Sequence, residues 1–361
     1  MRPEAVAAML PFLVERFGNP SGAHSAARDA RLALDDARDV VADALGCRAG
    51  EVVFTSGGTE GDNAAIAATD GVVVCSAIEH HAVLEPVHAL GARGRVVGVH
   101  TDGTIDVDAL AAALDADVTL VSVMLANNET GVVQPLADVA DVLRARAPQA
   151  ALHTDAVQAM PWVDVAELAA DAQLVTISAH KLGGPKGVGA LVVRDGTPFR
   201  PRQVGGGQER DRRGGTHNVA GIVAMAEAVR LSVEERKATV ERVGHQRDRL
   251  VDGLLATVPD ARESGDRHRK VAGNGHLCFA GIESEALLFL LEREGVLASA
   301  AASCASGAQD PSHVLAAMGV PRDVARGSLR LSLGTTTSDA DIDHVLAVLP
   351  SAVAHLREVG S

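Results

Sequence analysis

A lysine at the end of an apolar run is the residue in this chain best placed for covalent chemistry. In Ser178-Ala179-His180-Lys181-Leu182-Gly183-Gly184-Pro185-Lys186-Gly187, the preceding run Gln173–Ile177 reads as a strand that empties into a polar tripeptide, Lys181 and a Gly/Pro turn. Ligands of open α/β sheets collect at the carboxyl ends of strands. A partly desolvated lysine there loses its proton and condenses with a carbonyl as a Schiff base; a solvent-facing lysine on a turn fits the same peptide. Asp155 ends another strand candidate, in His153-Thr154-Asp155-Ala156-Val157-Gln158. An acid in that position suits a pyridinium nitrogen, because a carboxylate partner keeps the nitrogen protonated and the ring an electron sink. Gln158 is spaced to donate to a ring oxygen. The ordinary alternative for Asp155 is a helix N-cap.

Two further peptides suit an anionic, planar ligand. Thr55-Ser56-Gly57-Gly58-Thr59-Glu60-Gly61-Asp62-Asn63 runs from a strand through paired glycines to a hydroxyl that opens a helix. Backbone N–H groups and the helix dipole cradle phosphates at such turns, although many strand–helix turns hold Gly-Gly-Thr. The peptide is neither a Walker loop nor a dinucleotide fingerprint, so nucleotide binding has no support. Glu79-His80-His81-Ala82 follows the next strand, and with six Phe, one Trp and no Tyr in the chain, His80 is the candidate for stacking on a ring. It can also shuttle a proton near neutral pH; a helix-start histidine facing water is the plain alternative. Asn127-Asn128-Glu129-Thr130-Gly131 offers amides after a strand, or simply a turn.

Of the four cysteines, Cys47, Cys75 and Cys278 sit in apolar or strand-like surroundings and read as packing residues. Cys304 lies in the small-residue stretch Ala298-Ser299-Ala300-Ala301-Ala302-Ser303-Cys304-Ala305-Ser306-Gly307. Such a loop is able to swing a thiol into a site and out to an acceptor. No charged side chain adjoins it, so groups elsewhere, His80 among them, would have to promote its thiolate. A buried structural cysteine is the alternative.

Short strands alternating with amphipathic helices must position these residues. Strand candidates are 52–55, 72–75, 95–99, 118–123, 151–154, 173–177 and 188–193, with helices at 82–90, 107–114 and 136–146 between them. That rhythm predicts an α/β sheet with helices on both faces. It changes at 217–257, which reads as nearly continuous helix, followed by a strand at 276–280, a helix at 285–294, a strand at 328–333 and a final helix. A domain boundary is expected near residue 235.

Composition excludes several classes. The net charge is −14, with acids spread along the chain, so no clustered basic surface for nucleic acid is expected. The densest basic cluster, Arg210, Arg212 and Arg213, sits beside Glu209 and Asp211 and reads as a solvated loop or a phosphate contact. No Cys-x-x-Cys pair points to a disulfide framework or a zinc site, so no metal is expected. No apolar run reaches bilayer length, and the apolar stretch 5–14 is interrupted by Pro11 and followed by Glu15-Arg16 without a cleavage pattern. A cytoplasmic, reducing compartment is expected.

In order and spacing these peptides resemble the cysteine desulfurases of the NifS/IscS type, in the class V aminotransferase family of fold-type I pyridoxal-phosphate (PLP) enzymes. The resemblance runs from about Pro3 to the last helix. It rests on Ser-Gly-Gly-Thr-Glu-Gly-Asp-Asn (56–63), Glu-His-His-Ala-Val-Leu (79–84), Asn-Asn-Glu-Thr-Gly (127–131), Asp-Ala-Val-Gln (155–158) and Ser-Ala-His-Lys (178–181). Gly-Gly-Gly-Gln-Glu-Arg (205–210) with Gly215-Thr216, Ser-Cys-Ala-Ser-Gly (303–307) and Arg-Leu-Ser-Leu-Gly (330–334) complete it.

The resemblance implies a large PLP-binding domain over 15–235, with a mostly parallel central sheet flanked by helices. A smaller C-terminal α+β domain over 236–361, joined by residues 1–14, would carry the cysteine loop. Lys181 would hold pyridoxal 5'-phosphate as a Schiff base, His80 stack on its ring and Asp155 pair with its nitrogen. Gln158 and Asn128 would reach the ring oxygen and the substrate. Gly58, Thr59, Ser178 and His180 would bind the phosphate, with Thr216 joining them from the partner subunit of a homodimer. Arg330 would hold the carboxylate of L-cysteine in bidentate fashion. Sulfur would leave as a persulfide on Cys304, bound for an acceptor protein such as an iron–sulfur scaffold or a thiolation carrier.

Two departures carry expectations of their own. Relatives usually open with Asp-x-x-Ala-Thr-Thr-Pro, and this chain starts at Met1-Arg2-Pro3, where that segment would have just ended; either the start lies upstream or one edge of the substrate pocket is missing. Ala301 and Ser303 stand where relatives usually carry Gly and Ala, and alanine favours helix over glycine by about 1 kcal/mol, so a more ordered loop and slower sulfur delivery are expected. A selenocysteine lyase or an aminotransferase on the same fold would share most of these residues, and transamination would be indifferent to Cys304. A non-catalytic partner protein that lost turnover with its N-terminal segment is the reading from another class.

Overall fold

Runs of Val, Leu and Ile bounded by Gly and polar turns become the strands of a seven-stranded sheet. The computed structural model describes residues 1–300 and 312–360. Those residues divide into two compact units, the first made of Met1–Val97, Val107–Leu125 and Pro135–Arg236, the second of Gly98–Asp106, Ala126–Gln134 and Lys237–Ser361. Residues 1–14, expected with the C-terminal part, make their contacts in the first unit: the Arg2 N–H donates to Gly183 O at 2.7 Å, and its guanidinium pairs with Glu235 at 2.7 Å.

The sheet of the first unit holds β1 (Val52–Thr55), β2 (Val72–Ser76), β3 (Gly94–Val97), β4 (Val118–Ser122), β5 (Ala151–Asp155), β6 (Leu174–Ser178) and β7 (Gly189–Val193), in the order β1-β7-β6-β5-β4-β2-β3. Every pair is parallel except those made by β7, which runs antiparallel to both β6 and β1. The reason is length. The connection from β6 to β7 has room for a tight return but not for a crossover helix, and Gly183 (φ 83°) and Gly187 (φ 79°) turn it. Lys181 sits on that return. Strands β6 and β7 are buried throughout, as both faces of a covered sheet require. The core under them joins Val53, Val73, Leu120, Leu174 and Leu191 to Val83 and Val87.

In the second unit β8 (Ala261–Glu263), β9 (Asn274–Phe279) and β10 (Ser328–Ser332) form an antiparallel sheet in the order β10-β9-β8, which sets Arg330 opposite His276. The sequence signalled β9 and β10 but not β8, whose Ala-Arg-Glu is partly exposed and has no apolar alternation. The long helical region appears as one helix, Val219–Thr257, of 39 residues, about 58 Å at 1.5 Å per residue. It belongs to the first unit up to Arg236 and to the second from Lys237. No helix among the described residues is long and apolar enough to cross a membrane.

Candidate active site

Because β2, β4, β5 and β6 run parallel, their carboxyl ends share one edge of the sheet, and the chemistry-bearing peptides of the first unit all leave from it. After β1 the chain turns through Gly57, whose φ of 145° is closed to other residues, into the helix Gly58–Ile66. A Cβ on Gly58 would stand 2.9 Å from Val157 Cγ2, and one on Gly57 would stand 3.7 Å from Ser178 Oγ. Ser178 Oγ lies 2.8 Å from His180 Nδ1. Gly57, Gly58, Ser178 and His180 therefore share one corner with the Asp155–Gln158 turn. The corner offers the first N–H groups of a helix, which lack intrahelical acceptors, together with a hydroxyl and an imidazole. Such a donor set, with backbone kept bare of Cβ atoms, fits a phosphate group.

Asp155 ends β5 with its side chain 6% exposed. Its Oδ1 accepts from the Val157 N–H at 2.8 Å, in a stretch that forms a turn rather than a helix, so Asp155 is not a helix N-cap. Burial pushes its carboxyl up to about 6, against that N–H and the positive charge of Lys181. The same charge, after burial, holds the His180 imidazole below its usual value. An amine, a carboxylate and a phosphate cradle at one edge fit pyridoxal phosphate, with Lys181 for its aldehyde and Asp155 for its ring nitrogen.

His80 caps the helix His81–Ala89, and its Nδ1 accepts from the Ala82 N–H at 3.1 Å. The neutral ring therefore carries its proton on Nε2, an assignment that follows from this hydrogen bond. Gln158 is half-buried and Thr59 exposed. Thr216 is exposed on a loop fixed by a buried triad: Arg38 reaches Glu209 with two bonds of 2.7 and 2.8 Å, and His217 Nε2 lies 2.7 Å from Glu209 Oε1. Of the basic cluster, Arg213 pairs with Glu60 at 2.9 Å and Arg212 donates to Gly50 O at 3.0 Å. Cys304 lies outside the described residues, as do Ala301 and Ser303. Among the described residues no group of three or more His, Cys, Asp or Glu could hold a metal.

In the second unit Arg330, on β10, donates from Nη1 to Asn128 O at 3.0 Å. Its backbone exchanges hydrogen bonds with Ser299, at 2.8 and 3.2 Å. Arg330 Nε is buried with no hydrogen-bond partner among the described residues. Asn128 and Arg330, drawn from distant parts of the sequence, are brought together.

A family model, aminotransferase class-V, matches residues 1–345. The chain belongs to that family. It is 41% identical over 371 residues to the cysteine desulfurase IscS of Dictyoglomus turgidum, covering 99% of this chain and 93% of the relative. Among solved structures it resembles a NifS-like protein with a TM-score of 0.91 at 33% identity, covering 99% and 97% of the two chains. It also resembles SspA in complex with cysteine, with a TM-score of 0.80 at 30% identity, covering 92% and 95%. The family is one of PLP-dependent enzymes, and the mixed α/β fold is that of NifS-like structures.

Behind Asp155 lies a polar cluster to which the sequence reading gave no role. His153 Nδ1 lies 2.8 Å from Ser122 Oγ, while its Nε2 lies 3.0 Å from Thr176 Oγ1 and 3.6 Å from Asp62 Oδ1. Glu79, 0% exposed, accepts from Ser76 Oγ at 2.6 Å and from the Met124 N–H at 2.8 Å. Burial drives His153 down to about 3 and Glu79 up to about 8; Asp62 stands well above the usual carboxylate range through burial and then the charge of Asp155. A signal was present. Asp62 falls on the same buried stripe of its helix as Gly61, Ala65 and Ile66, a position where an acid needs a reason.

Proposed function

We propose that the protein is a cysteine desulfurase that uses pyridoxal 5'-phosphate to move sulfur from L-cysteine onto Cys304, releasing L-alanine. The observation that carries this reading is that the buried Asp155 at the end of β5 and Lys181 just after β6 leave the same sheet edge, where Gly58, Ser178 and His180 gather. Relatives named cysteine desulfurase, and a similar structure solved with cysteine, point the same way.

The cofactor, when bound, supplies an electron sink for the carbanion that forms at the substrate's α-carbon. Lys181 Nζ would hold its aldehyde and, when released as the free amine, would carry the α-proton, and Asp155 would pair with its ring nitrogen. His80, with its proton on Nε2, would stack on the ring and offer that proton. Gly58, Thr59, Ser178 and His180 hold the phosphate, with Thr216 from the partner subunit of a homodimer. Exposed Val6, Leu10, Leu13 and Phe17 at the N-terminal helix and just after it suit association of copies. Gln158 and Asn128 orient ring and substrate, and Arg330 takes the substrate carboxylate. Cys304 Sγ, as thiolate, forms an S–S bond to the substrate sulfur as the Cβ–S bond breaks. The electron pair left on carbon is closed by a proton to give alanine, and the persulfide passes to an acceptor protein.

Purified protein given L-cysteine should form alanine and sulfane sulfur in equal amounts, and Cys304→Ala should form neither. Mass spectrometry should find one added sulfur on the peptide that holds Cys304. Formation of a 2-oxo acid instead, undiminished in Cys304→Ala, would make the protein an aminotransferase.

A further inference from the structure

Two charged side chains beside the phosphate turn have no part in the proposed chemistry. Glu60 lies in the first turn of the helix Gly58–Ile66. Its side chain reaches back along the chain, and Oε2 accepts from the Ser56 N–H at 2.7 Å, just before the Gly57-Gly58 pair. Thr55 Oγ1 braces the same turn, donating to Gly57 O at 3.0 Å. The turn is thereby fixed, but one of its fastenings is a carboxylate. An acid in the first turn of a helix draws on the same positive end that a phosphate would use, and two negative charges placed there repel.

Arg213 answers that charge. Its Nε and Nη2 donate to Glu60 Oε1 and Oε2 at 2.9 and 3.4 Å, on both oxygens of the carboxylate. The pair is mostly buried, with side chains 23% and 22% exposed. Burial by itself raises the Glu60 carboxyl, but the hydrogen bonds from Arg213 and Ser56 outweigh it and hold the group below its ordinary value, so it carries its charge. The loop that brings Arg213 back to Glu60 passes through Glu209, Arg210 and Asp211 at φ of 48°, 55° and 64°. Three successive left-handed residues persist only where the surroundings hold them. Beyond them, Gln203 accepts from the Gly214 N–H at 2.9 Å through its backbone and donates to Gly214 O at 2.7 Å through Nε2. Gln208 Oε1 accepts from the Gly215 N–H at 3.0 Å. Arg213 is therefore held on Glu60 rather than left in a solvated loop.

We propose that Arg213 is a positioning residue for the phosphate turn: it cancels the charge of Glu60, so that Glu60 holds the Ser56 N–H while the Gly58 and Thr59 N–H groups stay open to a phosphate dianion. An arginine that bound the phosphate itself would do so whatever stood at residue 60. One that acts through Glu60 is needed only while Glu60 is charged. The inference rests on the assignment of the cofactor phosphate to this turn.

Pyridoxal phosphate and pyridoxal, which differ by the phosphate alone, test it in absorbance titrations of the full chain freed of cofactor. The ratio of the two affinities isolates the phosphate, and pyridoxal binding reports that the rest of the site is intact in each variant. Arg213→Gln should lower the ratio about tenfold. Glu60→Gln, which keeps an acceptor for the Ser56 N–H, should not lower it. The double variant Glu60→Gln/Arg213→Gln should return it to within about twofold of wild type. An unchanged ratio in Arg213→Gln overturns the proposal. So does a loss that persists in full in the double variant, which would put Arg213 on the phosphate itself. Gly58→Ala separates the two readings. If it lowers the ratio and Arg213→Gln does not, the phosphate lies in this turn and Arg213 has no part; if wild type shows no preference for pyridoxal phosphate, the phosphate assignment itself falls.

Discussion

Two sets of buried carboxyl groups in the first unit have opposite ionisation tendencies, and their neighbours explain the contrast. Glu209 loses solvation on burial, yet His217, both terminal nitrogens of Arg38 and the Phe54 N–H surround it, and the balance holds it down at about 2. Asp155 and Asp62 lose solvation too; around Asp62 stand neutral His153, the Thr176 hydroxyl and the charges of Asp155 and then Glu79, while Asp155 has the Val157 N–H and Lys181 opposing its burial. They go up. An acid whose cations are all built into the chain is a fastening, here for the loop that carries Thr216. An acid cluster short of positive charge is suited to a ligand that brings a cation, as a protonated pyridine ring does.

The contrast is easiest to break at Lys181. Lys181→Ala removes the cation acting on Asp155 and should lower alanine formation by about 10³-fold or more. It should also remove visible absorbance from protein incubated with pyridoxal phosphate. A rate within tenfold of wild type would end the case that this edge of the sheet is the reactive one.

Next in size is the fastening. Arg38→Ala leaves Glu209 buried without its bidentate partner and should cost about 3–5 kcal/mol in urea unfolding. A loss of less than about 1 kcal/mol would mean that the triad is ornamental and the comparison empty.

The opposite pKa directions give opposite pH slopes. Glu209, with its folded value below the ordinary carboxylate value of about 4.3, contributes stability that is present above that value and lost as pH falls toward about 2. Asp62 is raised when folded, so its penalty is absent in acid and grows as pH climbs past the ordinary Asp value of about 3.9. Asp62→Asn should therefore stabilise the cofactor-free protein at about pH 7 by roughly 1 kcal/mol or more and leave it unchanged near about pH 3. Equal destabilisation at both pH values would show that the Asp62 carboxyl is ionised and well paired.

The smallest effect concerns the cradle. The Cβ of Gly58→Ala would meet Val157 Cγ2 at 2.9 Å, so the corner must open by a few tenths of an ångström. Affinity for pyridoxal phosphate, titrated by absorbance, should weaken about tenfold, or 1.4 kcal/mol, with unfolding of the cofactor-free protein changed by less. Equal losses in both would make Gly58 a packing residue alone.

Much of this was legible in the residues. The alternation of apolar runs with helical stretches gave the sheet its seven strands because side-chain period depends on local sequence. Lys181, Asp155 and the Gly57-Gly58 turn stood out because each follows such a run. Strand β8 was not legible, since a three-residue polar strand exists only by pairing with β9. Nor was the reversed direction of β7, which follows from how far the 179–188 return can reach. Cys304 is legible in the sequence alone, lying outside the described residues.

What the sequence by itself determined, then, was the order of elements and the types of reactive group at their ends, because both are written in neighbouring residues. Which acids share a dielectric, and which have a cation within reach, was decided by tertiary structure. Asp62 and His153 are remote in sequence and 3.6 Å apart in space, as Glu129 is remote in sequence from the Ser312 hydroxyl that bonds it, and the ionisation of a buried group depends on what encloses it rather than on what precedes it in the chain.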